Sequence, residues 1–432
     1  MNPLEALMWR AEADPRMRST MVALEMLDTT PDWDRFLEAH AWATRMVPRF
    51  RELVVEPALG IGAPCWAVDE NFDLHFHVRR VRLPAPGSFA QLLAAVEQLA
   101  MAAFDKARSP WEAVLFEGLP EGKSAYALKM HHSATDGIGG IQLLTNIHSR
   151  TREPNPDKPQ PAAPAAETFS STDAFVGQLS RDVRTLPRSL MGGGGDLLRA
   201  LRRPDRAAAD ALRFGSSLRR VLADPDTTGS PLLAGRSLSW RFLALEFPFR
   251  ELRGATKTHG ASINDGYLAA LLAGFRMYHE ELGQPIETMP LAIPISVRRE
   301  GDSAGGNRFA GARLAGPVGI RDPEARMVAI GAMVRTARDE PAVDGVGLIA
   351  PALARLPAPL ISQLVGGMTK ANDLQASNVP GIREDVFLAG ARIERLYPYA
   401  PLPGCAAMIT MITHGETCCV GVNLDPAAIT DS

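Results

Sequence analysis

The sequence contains few cysteines, few aromatic residues and almost no excess charge of either sign. Of its 432 residues, 4 are cysteine and 6% are aromatic, and 46 Lys and Arg face 49 Asp and Glu for a formal net charge of −3. So few cysteines, without metal-finger spacing, exclude a disulfide scaffold and predict reduced thiols in a cytoplasmic protein. The near-neutral charge argues against a nucleic-acid-binding protein, because such domains are strongly basic. The cysteines are Cys65, Cys405, Cys418 and Cys419.

Long hydrophobic runs are also missing. No stretch reaches the about 18 uninterrupted apolar residues of a membrane span. Residues 1–17 combine acidic side chains with no long apolar core, so they are not predicted to be a secretory signal. The hydrophobic fraction of 46% is nevertheless too high for a disordered chain. At about 100–200 residues per domain, the length fits two or three domains with a sizeable core.

The first 152 residues are predicted to form a mixed α/β unit. Residues 70–83 alternate as a strand does, with one apolar and one polar face. The apolar face holds Phe72, Leu74, Phe76 and Val78, and the polar face holds Asp73, His75, His77 and Arg79. An amphipathic helix is predicted over 89–104, and strands are predicted over 111–118 and 126–130.

Residues 235–432 are predicted to form a second α/β unit. Strands are expected over 238–247 and 289–297, a helix over 264–281, and a strand-rich region over 387–424. Between the two units, residues 153–234 begin as a proline-rich linker and continue as an arginine-rich crossover. Its stretch 183–222 has leucines opposite the arginines, which predicts peripheral contact with the inner face of a membrane or with lipid droplets, although interspersed aspartates dilute the charge.

One segment combines histidines, an aspartate and a glycine in a pattern that suits acid–base chemistry. Residues 131–137 read His-His-Ser-Ala-Thr-Asp-Gly and directly follow the predicted strand 126–130. Imidazole titrates near neutrality, so a histidine can take a proton from an attacking hydroxyl and return it to a leaving group. The glycines after Asp136 predict a tight turn that lets the backbone hold the ring in position.

Other interpretations of these histidines stay open. A histidine pair at a strand end can be a hydrogen-bonded part of the core. Three potential ligands so close in sequence, without a clear fourth, make a weak zinc site. His75 and His77 beside Asp73 could also be taken for a metal site, but they share the polar face of a predicted strand, so a solvated face is favoured.

The pattern His-His-x-x-x-Asp-Gly resembles the active-site motif of the bacterial wax ester synthase/acyl-CoA:diacylglycerol acyltransferase family. That family belongs to the CoA-dependent acyltransferase superfamily, with chloramphenicol acetyltransferase and the condensation domains of peptide synthetases. Segments similar to the family's occur in the same order along nearly the whole chain, at 72–78, 108–112, 262–265, 294–298, 306–307 and 377–381. One departure is Ser109-Pro110-Trp111, where the family usually has Pro-Leu-Trp.

The resemblance implies an α/β fold of two chloramphenicol-acetyltransferase-like lobes, each a mixed sheet with flanking helices, with a tunnel between them. His132 matches the family's general base, which deprotonates diacylglycerol or a long-chain fatty alcohol. The oxygen then attacks the thioester of acyl-CoA directly, giving triacylglycerol or a wax ester. No acyl-enzyme, cofactor or metal is implied, because acyl-CoA is itself a substrate.

The resemblance also implies roles for residues around His132. His131 precedes the base, Gly137 serves the turn, and Asp136 has a structural role with Arg298 as its ion-pair partner. Asn264 and Asp265 match a supporting motif at a predicted helix start, where the alternative is that Asn264 is the N-cap. The candidates for lining the tunnel are Trp111, Asn378, Pro380 and Gly381. The alternatives are a core aromatic for Trp111 and a turn between strands for 378–381.

Three other functions compete with acyl transfer to diacylglycerol or fatty alcohols. An acyltransferase for a polyketide or another lipid alcohol would share the histidine chemistry. A lipid-binding relative without catalysis is disfavoured because His131, His132 and Asp136 are all present. A metal-dependent hydrolase would lose its activity in the presence of a chelator.

Overall fold

The structure is a computed structural model of the chain. It describes residues 1–58, 62–135, 137–155, 157–165, 171–173, 176, 227–296, 309–340, 350, 353–354, 356, 358–369 and 372–431. The predicted ion pair of Asp136 with Arg298 and the arginine-rich stretch 183–222 lie outside these residues.

The N-terminal part of the chain supplies most of a first sheet and its helices. Its strands are β1 (Thr20–Leu27), β2 (Glu52–Val55), β3 (Cys65–Val68), β4 (Val78–Arg82), β5 (Trp111–Glu117) and β6 (Ser124–His131). Its helices are α1 (Pro3–Ala11), α2 (Trp33–Met46), α3 (Leu74–His77), α4 (Phe89–Met101) and α5 (Gly137–Ile147). Helix α4 begins with a capping box between Ser88 and Gln91, and its apolar side packs into the core, so the amphipathic helix is confirmed.

The remaining strands and helices come from the C-terminal part. The strands are β7 (Arg241–Pro248), β8 (Thr288–Ser296), β9 (Phe309–Pro317), β10 (Leu374–Val379), β11 (Phe387–Leu388), β12 (Ala391–Tyr399), β13 (Ala407–His414) and β14 (Thr417–Leu424). The helices are α6 (Phe249–Thr258), α7 (Ile263–Glu281), α8 (Pro323–Arg338) and α9 (Ala358–Thr369).

These strands build two six-stranded sheets, each with its own hydrophobic core. The first has the order β11–β12–β1–β6–β5–β4, and the second β7–β14–β13–β10–β8–β9, while β2 and β3 form a separate pair. Both large sheets are mixed, because β4 is parallel to β5 and β10 is parallel to β8 and β13. Strand β6 lies inside the first sheet and is buried along its whole length. The expected pair of mixed-sheet lobes is confirmed.

The two lobes share chain segments and packing. Strands β11 and β12 come from the second half of the sequence, yet β12 pairs with β1, with Leu24 opposite Tyr397. At the start of the second sheet, the backbone N–H of Phe242 donates to Glu97 on α4, at 2.7 Å. In addition, α1 packs against α9. The first lobe therefore depends on residues more than 200 positions away.

Two predictions from the local sequence are wrong. Residues 74–77 form helix α3 instead of continuing a strand, because Asp73 caps the backbone N–H of His75 and turns the chain. As a result Phe76 is exposed, while His77 is fully buried and does not lie on a solvated face. Helix α7 starts at Ile263 with Ser262 as its N-cap, in a capping box with Asp265, so Asn264 is not the cap.

All four cysteines are free thiols, as predicted. Among the helices that the structure describes, none is long and apolar enough to cross a membrane.

Candidate active site

The histidine pair lies where β6 ends and the chain turns. The N–H of His131 donates to the carbonyl of Pro110 at 3.0 Å, and that of His132 donates to Ser19 at 2.7 Å. The turn closes with the N–H of Ala134 on the carbonyl of His131, at 2.9 Å. The histidine pair is thus held by backbone bonds to the residues that directly precede β1 and β5. His132 itself is only partly buried.

The glycines after the motif do not form a separate tight turn. Gly137 is the first residue of α5, so the chain enters this helix directly after the described turn 132–135. The histidine turn is therefore anchored by a buried strand on one side and by a helix on the other.

His131 is fully buried and makes hydrogen bonds through both ring nitrogens. Its Nδ1 lies 3.0 Å from the backbone N of Ser133 and 2.7 Å from the Ser133 hydroxyl. Its Nε2 lies 2.9 Å from a carboxylate oxygen of Glu12, just beyond the end of α1. A backbone N–H can only donate, so Nδ1 accepts and the ring proton is on Nε2, directed at Glu12.

Aromatic rings and charges surround this histidine. The rings of Trp9 and Phe104 meet His131 edge-on, at centroid distances of 5.0 and 5.9 Å. Burial raises the pKa of Glu12, but the hydrogen bond with His131 and the nearby cations Arg18 and Lys106 outweigh it, so the pKa lies below its usual value. Glu12 therefore stays ionised and remains an acceptor for the ring N–H.

A buried lysine lies on the same strand as the pair. The Lys129 ammonium contacts Glu112 at 2.7 Å and the carbonyl of Ala102 at 2.9 Å. It also lies over the ring of Phe104, 4.2 Å from its centroid. Burial lowers the pKa of Lys129, and Glu112 opposes this shift, so the lysine is a compensated structural charge.

The turn lies close to the second lobe. Ser19, which accepts from His132, follows Arg18, and the Arg18 guanidinium lies over the ring of Trp240 at 5.9 Å. Trp240 directly precedes β7 of the second sheet. His132 therefore lies near the boundary between the lobes.

Trp111 lies in the core of the first lobe and is only 2% exposed. Its indole N–H donates to the carbonyl of Phe50, and its ring stacks on His77 at 4.5 Å. The core alternative fits these surroundings, and the segment 108–112 lies beside the motif because Pro110 accepts from His131. A tunnel contact for Trp111 stays a prediction.

Asn264 and Asp265 belong to the first turn of α7 in the second lobe. The Asp265 carboxylate accepts the backbone N–H of Ser262 at 2.9 Å, and it is 7% exposed. Its described partner thus gives Asp265 a helix-capping role.

The candidates at 378–381 lie toward the opposite end of the sheets from the histidine turn. Asn378 is in β10, and a Cβ at Gly381 would lie only 1.5 Å from the Thr413 carbonyl oxygen, which explains the glycine. The next residue, His414, donates to Ile393, which pairs with Leu27. Leu27 is seven residues along β1 from Thr20, the partner of His131, or about 23 Å at the rise of a strand. A tunnel role for Asn378, Pro380 and Gly381 stays a prediction.

Sequence reasoning missed Glu12 and Arg18. Both are ordinary charged residues in a polar N-terminal segment, and no local pattern connects them with a motif more than 110 positions away. The metal alternative gains no support from the described part of the chain, where no three His, Cys, Asp or Glu side chains are grouped to hold an ion.

Two family models match the chain. They are the wax ester synthase/diacylglycerol acyltransferase catalytic domain over residues 1–267 and the WS/DGAT C-terminal domain over residues 305–432. A Mycobacterium tuberculosis protein provisionally named diacylglycerol O-acyltransferase is 42% identical over 440 residues, covering 99% of this chain and 88% of the relative. A second protein of that organism with the same provisional name is 30% identical over 436 residues, covering 96% and 88%.

Solved structures with the same fold include two kinds of enzyme domain. The wax ester synthase/diacylglycerol acyltransferase from Marinobacter aquaeolei VT8 superposes with a TM-score of 0.65 at 19% identity, covering 100% of this chain and 94% of its own. The first condensation domain of the CDA synthetase gives 0.59 at 15% identity, covering 99% and 90%. Both matches support the two-lobed fold.

Proposed function

Because the chain belongs to the wax ester synthase/diacylglycerol acyltransferase family and is an acyltransferase, we propose that it transfers a fatty acyl group from acyl-CoA to diacylglycerol or to a long-chain fatty alcohol. The products are triacylglycerol or a wax ester, together with free CoA. The relatives' names support these substrates, and His132 at the lobe boundary is the observation that carries the proposed mechanism.

In this mechanism His132 is the general base. Its imidazole takes the proton of the acceptor hydroxyl while that oxygen attacks the thioester carbonyl carbon of acyl-CoA. The tetrahedral intermediate collapses, the C–S bond breaks, and the leaving thiolate takes the proton from His132. Proton transfer of this kind contributes about 10²–10⁴-fold in rate, so the positioning of the two substrates must supply the rest.

The geometry around His132 supports this assignment over its neighbour. His131 is fully buried and uses both ring nitrogens, so it has no nitrogen left for a substrate. His132 is partly exposed, and its backbone is fixed by Ser19. A general base needs this combination of a fixed position and access to the substrate. The structural pairing of Asp136 with Arg298 remains part of the proposal.

We also propose that the enzyme works at a lipid surface, on the inner face of the membrane or on lipid droplets. Both acceptors partition into lipid, and the arginine-rich stretch 183–222 suits an anionic interface. Sedimentation with anionic vesicles tests this: replacing Arg199, Arg202 and Arg203 with glutamine should reduce the bound fraction. Unchanged binding would contradict it.

The substrate proposal is tested by thiol release from palmitoyl-CoA. Either hexadecanol or dioleoylglycerol should stimulate release, and mass spectrometry should find the corresponding ester. The better acceptor then defines the subtype. Release that neither acceptor stimulates would contradict the proposed acceptors, and loss of activity in EDTA would favour the metal-dependent alternative.

A further inference from the structure

The partly buried carboxylate of Glu12 contacts His131 but lies outside the motif. It belongs to the residue that ends α1, 119 positions before His131 in the sequence. Its side chain is 16% exposed, and the histidine it binds is completely buried. A carboxylate taken so far out of water needs a compensating partner, and His131 provides it.

The contact determines which nitrogen of His131 carries the proton. Because Glu12 is an ionised acceptor, it favours a proton on Nε2, which leaves Nδ1 free to accept. Nδ1 then receives the backbone N–H of Ser133 at 3.0 Å. The opposite tautomer would place two N–H groups against each other at Nδ1 and leave Glu12 without a donor.

The bond from Ser133 to Nδ1 closes the turn around His132. Residues 131 and 133 flank this histidine, so a hydrogen bond that joins them restricts the backbone conformation of His132. The neighbouring bonds from His132 to Ser19 and from Ala134 to His131 complete the same turn.

From this geometry we infer that Glu12 is a positioning residue for the reaction, which fixes the tautomer of His131 and through it the turn that presents His132. The inference rests on the proposed role of His132 as general base. Glu12 does not touch the reacting atoms; it acts through His131, as the carboxylate behind a catalytic histidine acts on ring orientation.

Helix α1 is itself well anchored, so Glu12 is held in place. Arg10, which is 3% exposed, donates to the carbonyls of Ala354 at 2.8 Å and Leu356 at 3.2 Å. Arg10 also pairs with Glu56 at 2.6 Å. The Glu56 carboxylate is 43% exposed and contacts α1 without reaching His131, which makes Glu56→Gln a matched control.

The experiment compares Glu12→Ala, Glu12→Gln and Glu56→Gln in the full chain. Glu12→Ala should lower kcat by about 10- to 100-fold, as the loss of an outer partner of a functional histidine does elsewhere. The KM for acyl-CoA should change by less than about twofold, because Glu12 acts on His131 and not on substrate. Glu12→Gln keeps an acceptor for the ring N–H and should lose less than about tenfold. Glu56→Gln should have the kcat and KM of the wild type.

A second measurement uses the imidazole ¹⁵N resonances of His131, assigned with His131→Asn. The wild type and Glu12→Gln should show a protonated Nε2 and an unprotonated Nδ1, and Glu12→Ala should lose this pattern. The inference is overturned if wild-type His131 is protonated at Nδ1. It is also overturned if folded Glu12→Ala keeps the wild-type kcat, or if Glu56→Gln loses as much kcat as Glu12→Ala.

The two proposals can fail separately. If the wild type shows no acceptor-dependent thiol release, the proposed function fails, and the ring resonances still decide whether Glu12 sets the tautomer. If Glu12→Ala does not fold, the ring resonances of wild-type His131 decide the question, because a proton on Nδ1 would overturn the inference.

Discussion

Each lobe contains a buried histidine bound to a serine, and the two sites are built in opposite ways. In the first lobe, His131 Nδ1 lies 2.7 Å from the Ser133 hydroxyl. In the second, His279 Nε2 lies 2.6 Å from the Ser230 hydroxyl. Both rings are at most 1% exposed. Burial and a serine contact therefore do not distinguish a functional histidine from a structural one.

The difference lies in the other nitrogen. His279 donates from Nδ1 to the carbonyl of Phe275, one turn earlier in the same helix, at 2.7 Å. Its Nε2 must then accept from Ser230, whose backbone N–H binds Asp373. His131 instead directs its proton at the charged Glu12, from a distant helix. The ring of His279 thus bonds to its own helix and to Ser230. The ring of His131 instead stabilises the turn that includes the partly exposed His132.

Replacing His131 should have the largest combined effect. His131→Ala leaves the Glu12 carboxylate without its partner and opens the turn, so the free energy of unfolding should fall by about 3 kcal/mol, the upper range for a lost hydrogen bond to a charged group. The kcat should also fall by at least about 100-fold, because the turn no longer holds the base. Chemical denaturation and thiol release measure the two effects. A stable variant with wild-type kcat would contradict the role given to this turn.

A pH effect of similar size is expected at His40, a third buried histidine built like His279. Burial lowers its pKa to about 4 from the usual 6.5, and the nearby His148 adds to this shift, while the hydrogen bond from Nδ1 to the Phe36 carbonyl opposes it. Its Nε2 accepts from the Tyr126 hydroxyl. The unfolded chain binds this proton first as the pH falls. The buried, neutral ring of His40 therefore contributes about 3 kcal/mol to the free energy of unfolding above pH 6.5, and this contribution is lost as the pH falls toward 4.

His40→Gln should show a shallower loss of unfolding free energy than the wild type over this pH range. The free energy of unfolding of both proteins is measured by denaturation at several pH values. The carboxylates titrate in both proteins, so their contribution cancels in the difference between the two curves. Equal slopes in the two proteins would show that His40 does not titrate differently on unfolding.

Replacing His279 should affect stability without affecting the reaction. His279→Ala leaves the buried Ser230 hydroxyl without its acceptor and opens a cavity, which should cost about 2 kcal/mol. The kcat per folded molecule should stay within about twofold of the wild type, because the described hydrogen bonds of the His279 ring go to Phe275 and Ser230 and not to the histidine turn. A large fall in kcat would mean that the second lobe contributes to catalysis.

The smallest effect is expected at Ser133. Ser133→Ala removes the hydroxyl contact to His131 but keeps the backbone N–H contact at 3.0 Å. The loss of unfolding free energy should be about 1 kcal/mol, typical of one hydrogen bond, and similar to the loss in Ser230→Ala. A change in kcat of more than about tenfold for Ser133→Ala would show that the hydroxyl, and not the backbone, holds the turn.

The sequence predicted the elements with a clear local period. Strands 111–118 and 126–130 and helix 89–104 agree with β5, β6 and α4 to within a few residues, because apolar spacing follows the buried face directly. Helix α7 was predicted one residue late, although the spacing of Ser262 and Asp265 is that of a capping box.

What the sequence could not predict depends on contacts between distant residues. The pairing of β12 with β1 and the approach of Glu12 to His131 join positions 119 or more apart, and no local period encodes them. The strand predicted over 70–83 is wrong at 74–77, although apolar and polar residues alternate there as in a strand. The Asp73 cap and the stacking of His77 on Trp111 favour a helical turn instead.

The most direct test measures acceptor-dependent thiol release by His132→Ala beside His279→Ala, each normalised to its folded fraction. We expect the rate of thiol release by His132→Ala to fall by about 10²–10⁴-fold, with a melting temperature close to that of the wild type, while His279→Ala keeps its rate per folded molecule. A folded His132→Ala protein that releases thiol at the wild-type rate would contradict the role of His132 as the general base.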